Sequence, residues 1–286
     1  MRFPIGQLDL KSFPELLKEI PDAPSRLYIR GQMPSKDRSL LCVVGSRSAT
    51  PYGIRMTHTL LAGLAHFPIA IVSGLAYGID AEAHKAALDV GLPTIAVLPS
   101  SLDDSSLYPA RNRMLAHTIL EKGGCLLSEN EVPYKPMRHS FAERNRVMAG
   151  MSKAILIIEA GEKSGTLITA RLGLDYNKDI LVVPHELERA SGIGANRLIH
   201  EGATLVRNSA DIAQVLGFKY ETAGQQPLPP DLTDIEIAIL HTLTEPLVRE
   251  EIIERLDMNA IEIRIALSSL LVRGLIIERL GKIERV

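Results

Sequence analysis

From residue 40 to about residue 210, short and nearly continuous apolar runs alternate with stretches that place apolar residues at helical spacing. The runs are LLCVVG (40–45), IAIVSG (69–74), PTIAVL (93–98), CLLSE (125–129), AILIIEA (154–160), DILVVP (179–184) and ATLV (203–206). The helical stretches are 51–66, 80–90, about 109–122, 140–151, 164–176, 195–201 and 209–217. Apolar strands separated by helices of roughly 10–15 residues are typical of a parallel sheet covered on both faces. The pattern therefore predicts an α/β fold with a doubly wound, mostly parallel sheet.

The chain before and after this region has a different pattern. In residues 1–39, SFPELLKEI and SRLYIRG predict one short helix and one short strand. We therefore expect an N-terminal extension packed on a main domain of residues 40–217. ETAGQQPLPPD (221–231) is rich in Pro, Gly and Gln and lacks apolar periodicity, which predicts a linker over 218–230.

Residues 231–286 predict a second, smaller domain. Helical stretches at about 233–243, 247–256 and 259–272 are followed by two short strands around Gly281. Three short helices with a terminal hairpin suggest a winged helix-turn-helix, a module that commonly binds duplex DNA.

The charge of this second domain argues against duplex DNA as its partner. Residues 231–286 carry 11 acidic and 7 basic side chains, a net charge of −4, which leaves +2 on the rest of a chain whose formal charge is −2. The candidate recognition helix, NAIEIRIALSSLL, carries one Arg and one Glu. Because a helix in a DNA groove needs cations for the phosphates, we favour protein contact. A helical appendage that only packs on the main domain is the alternative.

Small and hydroxyl-bearing residues recur where the predicted strands end. They are Gly45-Ser46-Arg47, Ser73 to Gly78, Pro99 to Ser101, Ser128-Glu129 and Gly161 to Thr166. Ligands of open α/β sheets bind at this edge, where helix N-termini offer unpaired N–H groups to anions. Any single loop is explained by turn geometry and N-capping. Their repetition, with Arg47 in one loop and Lys163 in another, favours phosphate binding.

Motifs of other site classes do not fit the chain. Gly192 to Arg197 has Arg in place of the third glycine of a dinucleotide fingerprint, and GEKSGT lacks the spacing and the Lys-Ser/Thr end of a phosphate-binding P-loop. A G-x-S-x-G elbow and an H-E-x-x-H helix are absent from the sequence. Cys42 and Cys125 fit no metal-ligand spacing. We therefore expect neither a cofactor nor a metal.

The same sequence predicts a soluble cytoplasmic protein. MRFPIGQLDLKSF lacks the pattern of a secretory signal, and no apolar run approaches the roughly 18 residues of a membrane span. Cys42 and Cys125 lie in apolar runs, as buried thiols do in a reducing compartment. We expect no membrane partner.

PMRHSFAERNRVMAG (136–150) gathers four basic side chains, Arg138, His139, Arg144 and Arg146, around one phenylalanine. Ser140 and Glu143 have the spacing of a capping box, which predicts a helix that begins at Phe141. A hydrophobic staple would need apolar residues at positions 139 and 144, and both are polar. This helix start is therefore expected to be open. One interpretation places Phe141 in the core with solvated arginines; the other makes Phe141 a platform for a base, with the arginines on phosphates.

Seven motifs at compatible spacing resemble those of the DNA processing protein A (DprA/Smf) family over about 40–206. They are GSRSATPYG (45–53), VSGLAYGIDAEAH (72–84), TIAVL (94–98) with YPARN (108–112), SE (128–129), FAERNRVMAG (141–150), EAGEKSGTLITA (159–170) and GANRLIHEGA (194–203). The resemblance implies an extended Rossmann-like domain that binds single-stranded DNA and forms homodimers, with a winged-helix domain in many members. It also implies a non-enzymatic recombination mediator, which protects incoming DNA and promotes loading of the recombinase RecA during natural transformation.

The resemblance also implies roles for individual residues. Arg47 would contact a phosphate, Phe141 would stack on a base, and Arg138 takes the place of a basic residue three positions earlier. The full candidate set for single-stranded DNA is Gly45, Ser46, Arg47, Arg138, Phe141, Arg144, Asn145, Arg146, Lys163, Ser164, Gly165, Thr166 and Asn196. The chain departs from the family pattern at Ala142, where Pro is usual, and at Ser101 and His185, where Gly is usual.

Two other functions remain open from the sequence. A phosphoribohydrolase-like enzyme would need a PGGxGT-type loop, and EKSGT offers one glycine in that place. Asp80 and His84, four residues apart on a predicted helix, could form its acid–base pair, although in this pattern Asp80 is more often the N-cap of the helix and His84 is half-buried. A scaffold that acts through the winged helix alone would leave the basic cluster at 135–146 without a role.

Overall fold

A computed structural model describes residues 3–219, 232–243, 246–256, 258–279 and 281–285. The chain divides into two compact units, with the boundary between Tyr220 and Glu221. Most of the predicted linker, residues 218–230, lies outside the described residues. Among the helices within these ranges, none is long and apolar enough to cross a membrane.

The first unit is built on one nine-stranded sheet. Its strands along the chain are β1 (Ile5–Leu8), β2 (Leu27–Gly31), β3 (Ser39–Gly45), β4 (Ile69–Ser73), β5 (Thr94–Val97), β6 (Cys125–Ser128), β7 (Ala154–Glu159), β8 (Asp179–Val182) and β9 (Thr204–Leu205). Their order across the sheet is β1-β2-β6-β5-β4-β3-β7-β8-β9. Across the sheet, each strand in the series β6-β5-β4-β3-β7-β8-β9 pairs in parallel with its neighbours. The seven apolar runs therefore form the predicted parallel sheet.

The N-terminal segment continues this sheet as well as packing on it. β2 pairs antiparallel with β6, and β1 pairs antiparallel with β2. The short helix α1 (Glu15–Lys18) lies between these two strands in the chain. Its Leu17, together with Ile20, lies so close to Gly150 that a Cβ at position 150 would contact both side chains.

Helices cover both faces of the sheet. The remaining helices of this unit are α2 (Pro51–Ala62), α3 (Ile79–Asp89), α4 (Arg113–Glu121), α5 (Ser140–Met151), α6 (Thr166–Asp175), α7 (Ile193–His200) and α8 (Ser209–Val215). Alternate residues of β3 enter different cores: Cys42 and Val44 pack in one cluster, Leu41 and Val43 in the other. Two buried faces explain why the strands are apolar at nearly every position. The predicted doubly wound, Rossmann-like fold is confirmed.

The strand order reverses beside β3. The chain passes from β3 to β4, β5 and β6 on one side, and then returns to place β7 on the other side of β3. In open α/β sheets the crevice for ligands lies at such a reversal, beyond the carboxyl ends of the two strands. For this chain those ends are Gly45 of β3 and Glu159 of β7.

The second unit has three helices and a hairpin. They are α9 (Asp234–Thr242), α10 (Arg249–Leu256), α11 (Ala260–Val272), β10 (Ile276–Arg279) and β11 (Lys282–Arg285). Leu247, before α10, bridges antiparallel to Ile283 of β11. Thr233 and Glu236 form a capping box that fixes the start of α9. The predicted winged-helix arrangement is confirmed.

Candidate functional site

A cavity of about 450 Å³ opens where the strand order reverses. Ten of the thirteen candidate residues line it: Gly45, Ser46, Arg47, Arg138, Phe141, Arg144, Asn145, Ser164, Gly165 and Thr166. They come from the loop after β3, from the start of α5 and from the start of α6. Lys163, Arg146 and Asn196 are not among its lining residues. The fold thus brings together three segments that are far apart in the sequence.

Arg47 and Phe141 contact each other at this cavity. The Arg47 guanidinium carbon lies 5.2 Å from the centroid of the Phe141 ring, which is cation–π distance. Phe141 is half-buried, so its ring is outside the core. The ring of Tyr108 meets it edge-on, with centroids 5.7 Å apart and planes at 77°. The Arg47 guanidinium therefore lies over the Phe141 ring at the edge of the sheet.

The position of Arg47 depends on close contact between two loops. The pairing of β3 with β7 shifts register between Val44 and Gly45, where β3 ends. The carbonyl of Ser46 then accepts a hydrogen bond of 3.0 Å from the backbone N–H of Ile79. Gly78 has a φ of +72°, and a Cβ there would collide with the backbone of Ser46 and Arg47. A glycine at position 78 is therefore required for the two loops to meet.

Arg144 lies beneath the open site. It is buried, and its Nη1 donates to the carbonyl oxygens of Gly74 and Val97, the latter at 2.8 Å. Its Nε donates to the side chain of Asn145 at 3.0 Å. The interpretation of Arg144 as one of a cluster of exposed phosphate-binding arginines needs correction, because two of its donors are used inside the fold. Its charge still faces the cavity that it lines.

A buried carboxylate accompanies Arg144. Burial raises the pKa of Asp80, and the positive charge of Arg144 and hydrogen bonds from the N–H groups of Ala76 and Gly74 oppose that rise. Burial also lowers the pKa of Arg144, which the charge of Asp80 opposes. The two groups stabilise each other's charged forms, and together they hold the loop that follows β4.

Arg146 does not face the cavity. Its Nη2 lies 2.5 Å from the Glu129 carboxylate, and its Nη1 donates to the backbone carbonyl of Asp22. These contacts tie α5 to the end of β6 and to the N-terminal segment. These contacts hold Arg146 outside the lining of the cavity, which corrects its placement among the cavity residues; a role for Arg146 in DNA binding stays a prediction.

The helix start differs from the predicted capping box. α5 begins at Ser140 with His139 at the N-cap position, and His139 makes no side-chain capping hydrogen bond. The Ser140 hydroxyl instead accepts from the N–H of Met137 at 3.1 Å and pairs with the Tyr134 hydroxyl at 2.8 Å. The preceding loop uses the hydroxyl that the capping box would need. The start of the helix is still open to the cavity, as the missing staple predicted.

The remaining candidates lie in two different environments. In the loop before α6 the Ser164 hydroxyl donates to Thr166 Oγ1 at 2.9 Å and accepts the backbone N–H of Thr166. Lys163 is exposed in this loop, outside the cavity lining. Asn196 holds the backbone of His185 through two hydrogen bonds of 3.0 Å. Asn196 lies within α7, where it fixes the backbone of His185, and it is not among the lining residues of the cavity.

The Asp80–His84 pair does not have the geometry of an acid–base couple. The Asp80 carboxylate accepts from loop N–H groups. His84 Nδ1 hydrogen bonds Thr94 Oγ1 at 2.7 Å, and burial lowers the pKa of His84 to about 3. The Thr94 hydroxyl also donates to the Ile71 carbonyl, so His84 Nδ1 is the donor. His84 is fully buried and lies outside the lining of the cavity.

Two residues missing from the candidate set border this site. Tyr77 follows β4 and is 41% exposed, and Tyr108 lies between β5 and α4 and is 40% exposed. Both line a shallow recess that also includes Arg47 and Phe141. The sequence could have identified both tyrosines, because they follow neighbouring strands whose carboxyl ends share one edge of the sheet.

Comparison with known proteins identifies the family. The family model of DNA recombination-mediator protein A matches residues 6–217. This chain belongs to that family. It is 35% identical over 211 residues to the DNA processing protein DprA of Streptococcus pneumoniae, which covers 74% of this chain and 73% of the relative. It is 40% identical over 218 residues to the protein Smf of Borreliella burgdorferi, covering 76% of this chain and 67% of the relative.

Solved structures of the family share the fold. The DprA structure from S. pneumoniae superposes with a TM-score of 0.68 at 32% identity, covering 75% of this chain and 74% of that one. The Helicobacter pylori DprA, whose structure concerns its single-stranded DNA binding mode, superposes with a TM-score of 0.66 at 32% identity, covering 75% and 96%. Other relatives are longer than this chain, so the aligned part is a smaller share of them: 62% of the Escherichia coli Smf protein and 53% of the Synechocystis one.

Proposed function

We propose that this chain binds single-stranded DNA in the cavity at the strand-order reversal and acts as a recombination mediator. The observation that carries the proposal is the contact between Arg47 and Phe141 at the cavity, 5.2 Å from guanidinium to ring centroid. A guanidinium suits a phosphate, and an aromatic face suits a base. A nucleotide is the ligand that combines a flat ring with an anion.

Single strands fit this site better than duplexes. Stacking on Phe141 requires an unpaired base, and a duplex keeps its bases stacked inside the helix. Arg47, Arg138 and the exposed Lys163 add positive charge on the same edge of the unit. The helix starts at Ser140 and Thr166 add positive dipole ends for phosphates.

The wider role follows from the family and is also a proposal. The chain protects incoming single-stranded DNA, promotes loading of RecA during natural transformation, and works in the cytoplasm as a homodimer formed through the first unit. Membership of a family of recombination mediators supports this role. The single-stranded DNA binding of the H. pylori relative supports the choice of ligand.

A nucleotide-processing enzyme is the weaker candidate. Its acid–base pair would be Asp80 and His84, and both side chains are used by buried hydrogen bonds. With a pKa near 3, His84 stays neutral at physiological pH and is a poor proton donor there. Turnover of nucleoside monophosphates by the purified chain, abolished by Asp80→Ala, would overturn the non-enzymatic proposal.

The second unit is proposed to contact protein. Ile261, Ile265 and Val272 of α11 are 68%, 65% and 89% exposed, on the side of the helix opposite its buried Ile263 and Leu270. Exposed apolar residues on the helix that would enter a DNA groove offer nothing to phosphates. The net charge of −4 over residues 231–286 favours a partner whose apolar surface has a basic rim.

A direct test compares a labelled oligonucleotide as a single strand and as a duplex of the same sequence, by fluorescence anisotropy at fixed salt. The expected result is clearly tighter binding to the single strand. Equal affinity for both forms, or no binding to the single strand, contradicts the proposal. Arg55→Ala is a suitable control, because Arg55 is an exposed cation on α2 outside the cavity lining.

A further inference from the structure

Tyr108 and Tyr77 are not part of the hydrophobic core, so core packing does not explain why aromatic residues occupy these two positions. Each is about two-fifths exposed, and neither hydroxyl has a hydrogen-bond partner within the part of the chain that the structure describes. Tyr108 contacts Phe141 edge-on, and Tyr77 lines the same recess. Exposed aromatic rings grouped at one edge are typical of surfaces that stack bases.

The two tyrosines continue a row that starts at the cavity. Arg47 follows β3, Tyr77 follows β4 and Tyr108 follows β5, and these strands are consecutive neighbours in the sheet. Tyr108 lies in the loop between β5 and α4, and its ring centroid is 5.7 Å from that of Phe141, so the row continues directly beside the Phe141 ring. A strand of DNA with its base on Phe141 can therefore place an adjacent base at the tyrosines.

The start of α4 has the same combination of residues as the start of α5. Arg111 comes three residues after Tyr108 and Arg138 comes three residues before Phe141, so each ring has a cation three positions away, in opposite order. Arg111 is exposed, and among the described residues it has neither an ion pair nor a hydrogen bond. An exposed cation beside an exposed ring repeats the chemistry proposed for the main cavity.

The loop that carries Tyr77 is held in one conformation. Asn112 donates from its side-chain nitrogen to the carbonyls of Leu75 and Ala76 at 2.8 and 3.2 Å. Leu75 has a φ of +56°, which is uncommon for a residue other than glycine and is maintained only by surrounding contacts. Asn112 lies four residues after Tyr108, so it joins the two tyrosine-bearing loops. A rigid aromatic surface loses little freedom when a ligand binds.

We propose that Tyr108, Tyr77 and Arg111 form a second nucleotide subsite, next to Phe141, on which a neighbouring base of the same DNA strand stacks. The inference rests on the proposed function, because it assigns more of the same ligand to an adjoining surface. It makes the footprint of one protein molecule longer than the cavity alone.

The test measures affinity for oligothymidylates of increasing length, for the full chain and for Tyr108→Ala, Tyr77→Ala and Arg111→Ala. The native chain should gain affinity as the oligonucleotide grows from the cavity into the subsite. Each tyrosine variant should lose about 5- to 100-fold on long oligonucleotides and little on the shortest one that binds. Tyr108→Phe should keep the native affinity, because it retains the ring.

The outcomes separate this inference from the proposed function. If Phe141→Ala weakens binding at every length while the tyrosine variants stay within twofold of the native chain, the subsite is wrong and the cavity proposal stands. A loss in Tyr108→Ala that is equal at every length also overturns the subsite, because Tyr108 would then only position Phe141. If the native chain binds no oligonucleotide, both proposals fail.

Discussion

The helices α5 and α11 both have one side in a core and another side exposed, but their exposed residues differ. Around the start of α5 lie Arg138 and Phe141, and the side chain of Arg47 reaches the Phe141 ring. Along α11 the exposed residues include Ile261, Ile265 and Val272. The first surface suits a flat anion, and the second suits an apolar protein surface. Identification of a domain as a winged helix therefore does not assign DNA to it.

The contrast also shows how neighbours decide the role of an arginine. Within α5, Arg144 and Arg146 are two residues apart and have separate tasks: one supports the loop after β4, and the other joins the helix to Glu129 and Asp22. Helical geometry turns side chains two positions apart toward different directions. A cluster of cations in the sequence is therefore not one patch in the fold.

The largest expected effect is that of Phe141→Ala on single-stranded DNA. Loss of a stacking ring should weaken binding by about 5- to 100-fold. Phe141→Trp should retain most of the affinity, because it keeps an aromatic face. Anisotropy titrations of the three proteins at one salt concentration make the comparison; equal affinities for all three would remove Phe141 from the site.

Arg47→Ala should follow, with about tenfold weaker binding and a smaller salt dependence. Each phosphate contact on a single strand contributes about 0.7 to the slope of log affinity against log salt. The slope should therefore become shallower by about that amount, and the matched Arg55→Ala variant should leave it unchanged. Titrations at several salt concentrations measure the slope; an unchanged slope for Arg47→Ala excludes a phosphate contact.

Arg146→Ala should change stability more than DNA binding. Removal of its contacts with Glu129 and Asp22 should lower the free energy of unfolding by about 1 kcal/mol, since the pair is partly exposed to solvent. Affinity for single-stranded DNA should stay within about twofold of the native value. For comparison, a tenfold change in affinity corresponds to about 1.4 kcal/mol of binding free energy. Urea unfolding and anisotropy test the two parts. A tenfold loss of affinity without a stability change would place Arg146 in the DNA site.

The two units should respond differently to acid. Burial, with a contribution from the charge of Arg144, lowers the pKa of His84 to about 3 in the folded chain. The stability that comes from neutral His84 is complete above its unfolded pKa of about 6.5, and it is lost as the pH falls toward 3. In the second unit, hydrogen bonds from Ser269 and Thr233 lower the pKa of Glu236, so its contribution is lost only at more acidic pH.

The variant His84→Asn isolates this effect, because its amide can still donate to Thr94. The raised pKa of Asp80 acts in the opposite direction, as protonation of Asp80 on acidification favours the folded state. Urea titrations at pH 7 and pH 5 should show a smaller loss of stability for the variant than for the native chain. Identical losses would mean that His84 is not the titrating group.

The smallest expected effect is that of Ile265→Glu in α11. A negative charge on a helix that lies in a DNA groove weakens duplex binding, whereas a helix that contacts protein has no such dependence. Affinities of the full chain for duplex and single-stranded DNA should both be unchanged within error. A clear loss of duplex affinity would assign DNA to the second unit and remove the contrast between the two helices.

By itself, the sequence determined the alternation of strands and helices, the parallel sheet, the winged helix and the family. These follow from local patterns: apolar runs of strand length, helical spacing and motifs at fixed distances along the chain. Through the family resemblance it also predicted a phosphate contact for Arg47 and base stacking for Phe141, each from the chemistry of its own side chain.

Only the tertiary structure decided how those side chains are used. In the fold, Arg144 is buried and donates to two backbone carbonyls, and Arg146 forms an ion pair with Glu129. The Ser140 hydroxyl hydrogen bonds with the preceding loop instead of capping the helix. It also brought Tyr108 against Phe141, although 33 positions separate them in the chain. Hydrogen-bond partners and ring contacts across such distances depend on strand order. The reversal beside β3 therefore fixed which loops form the site.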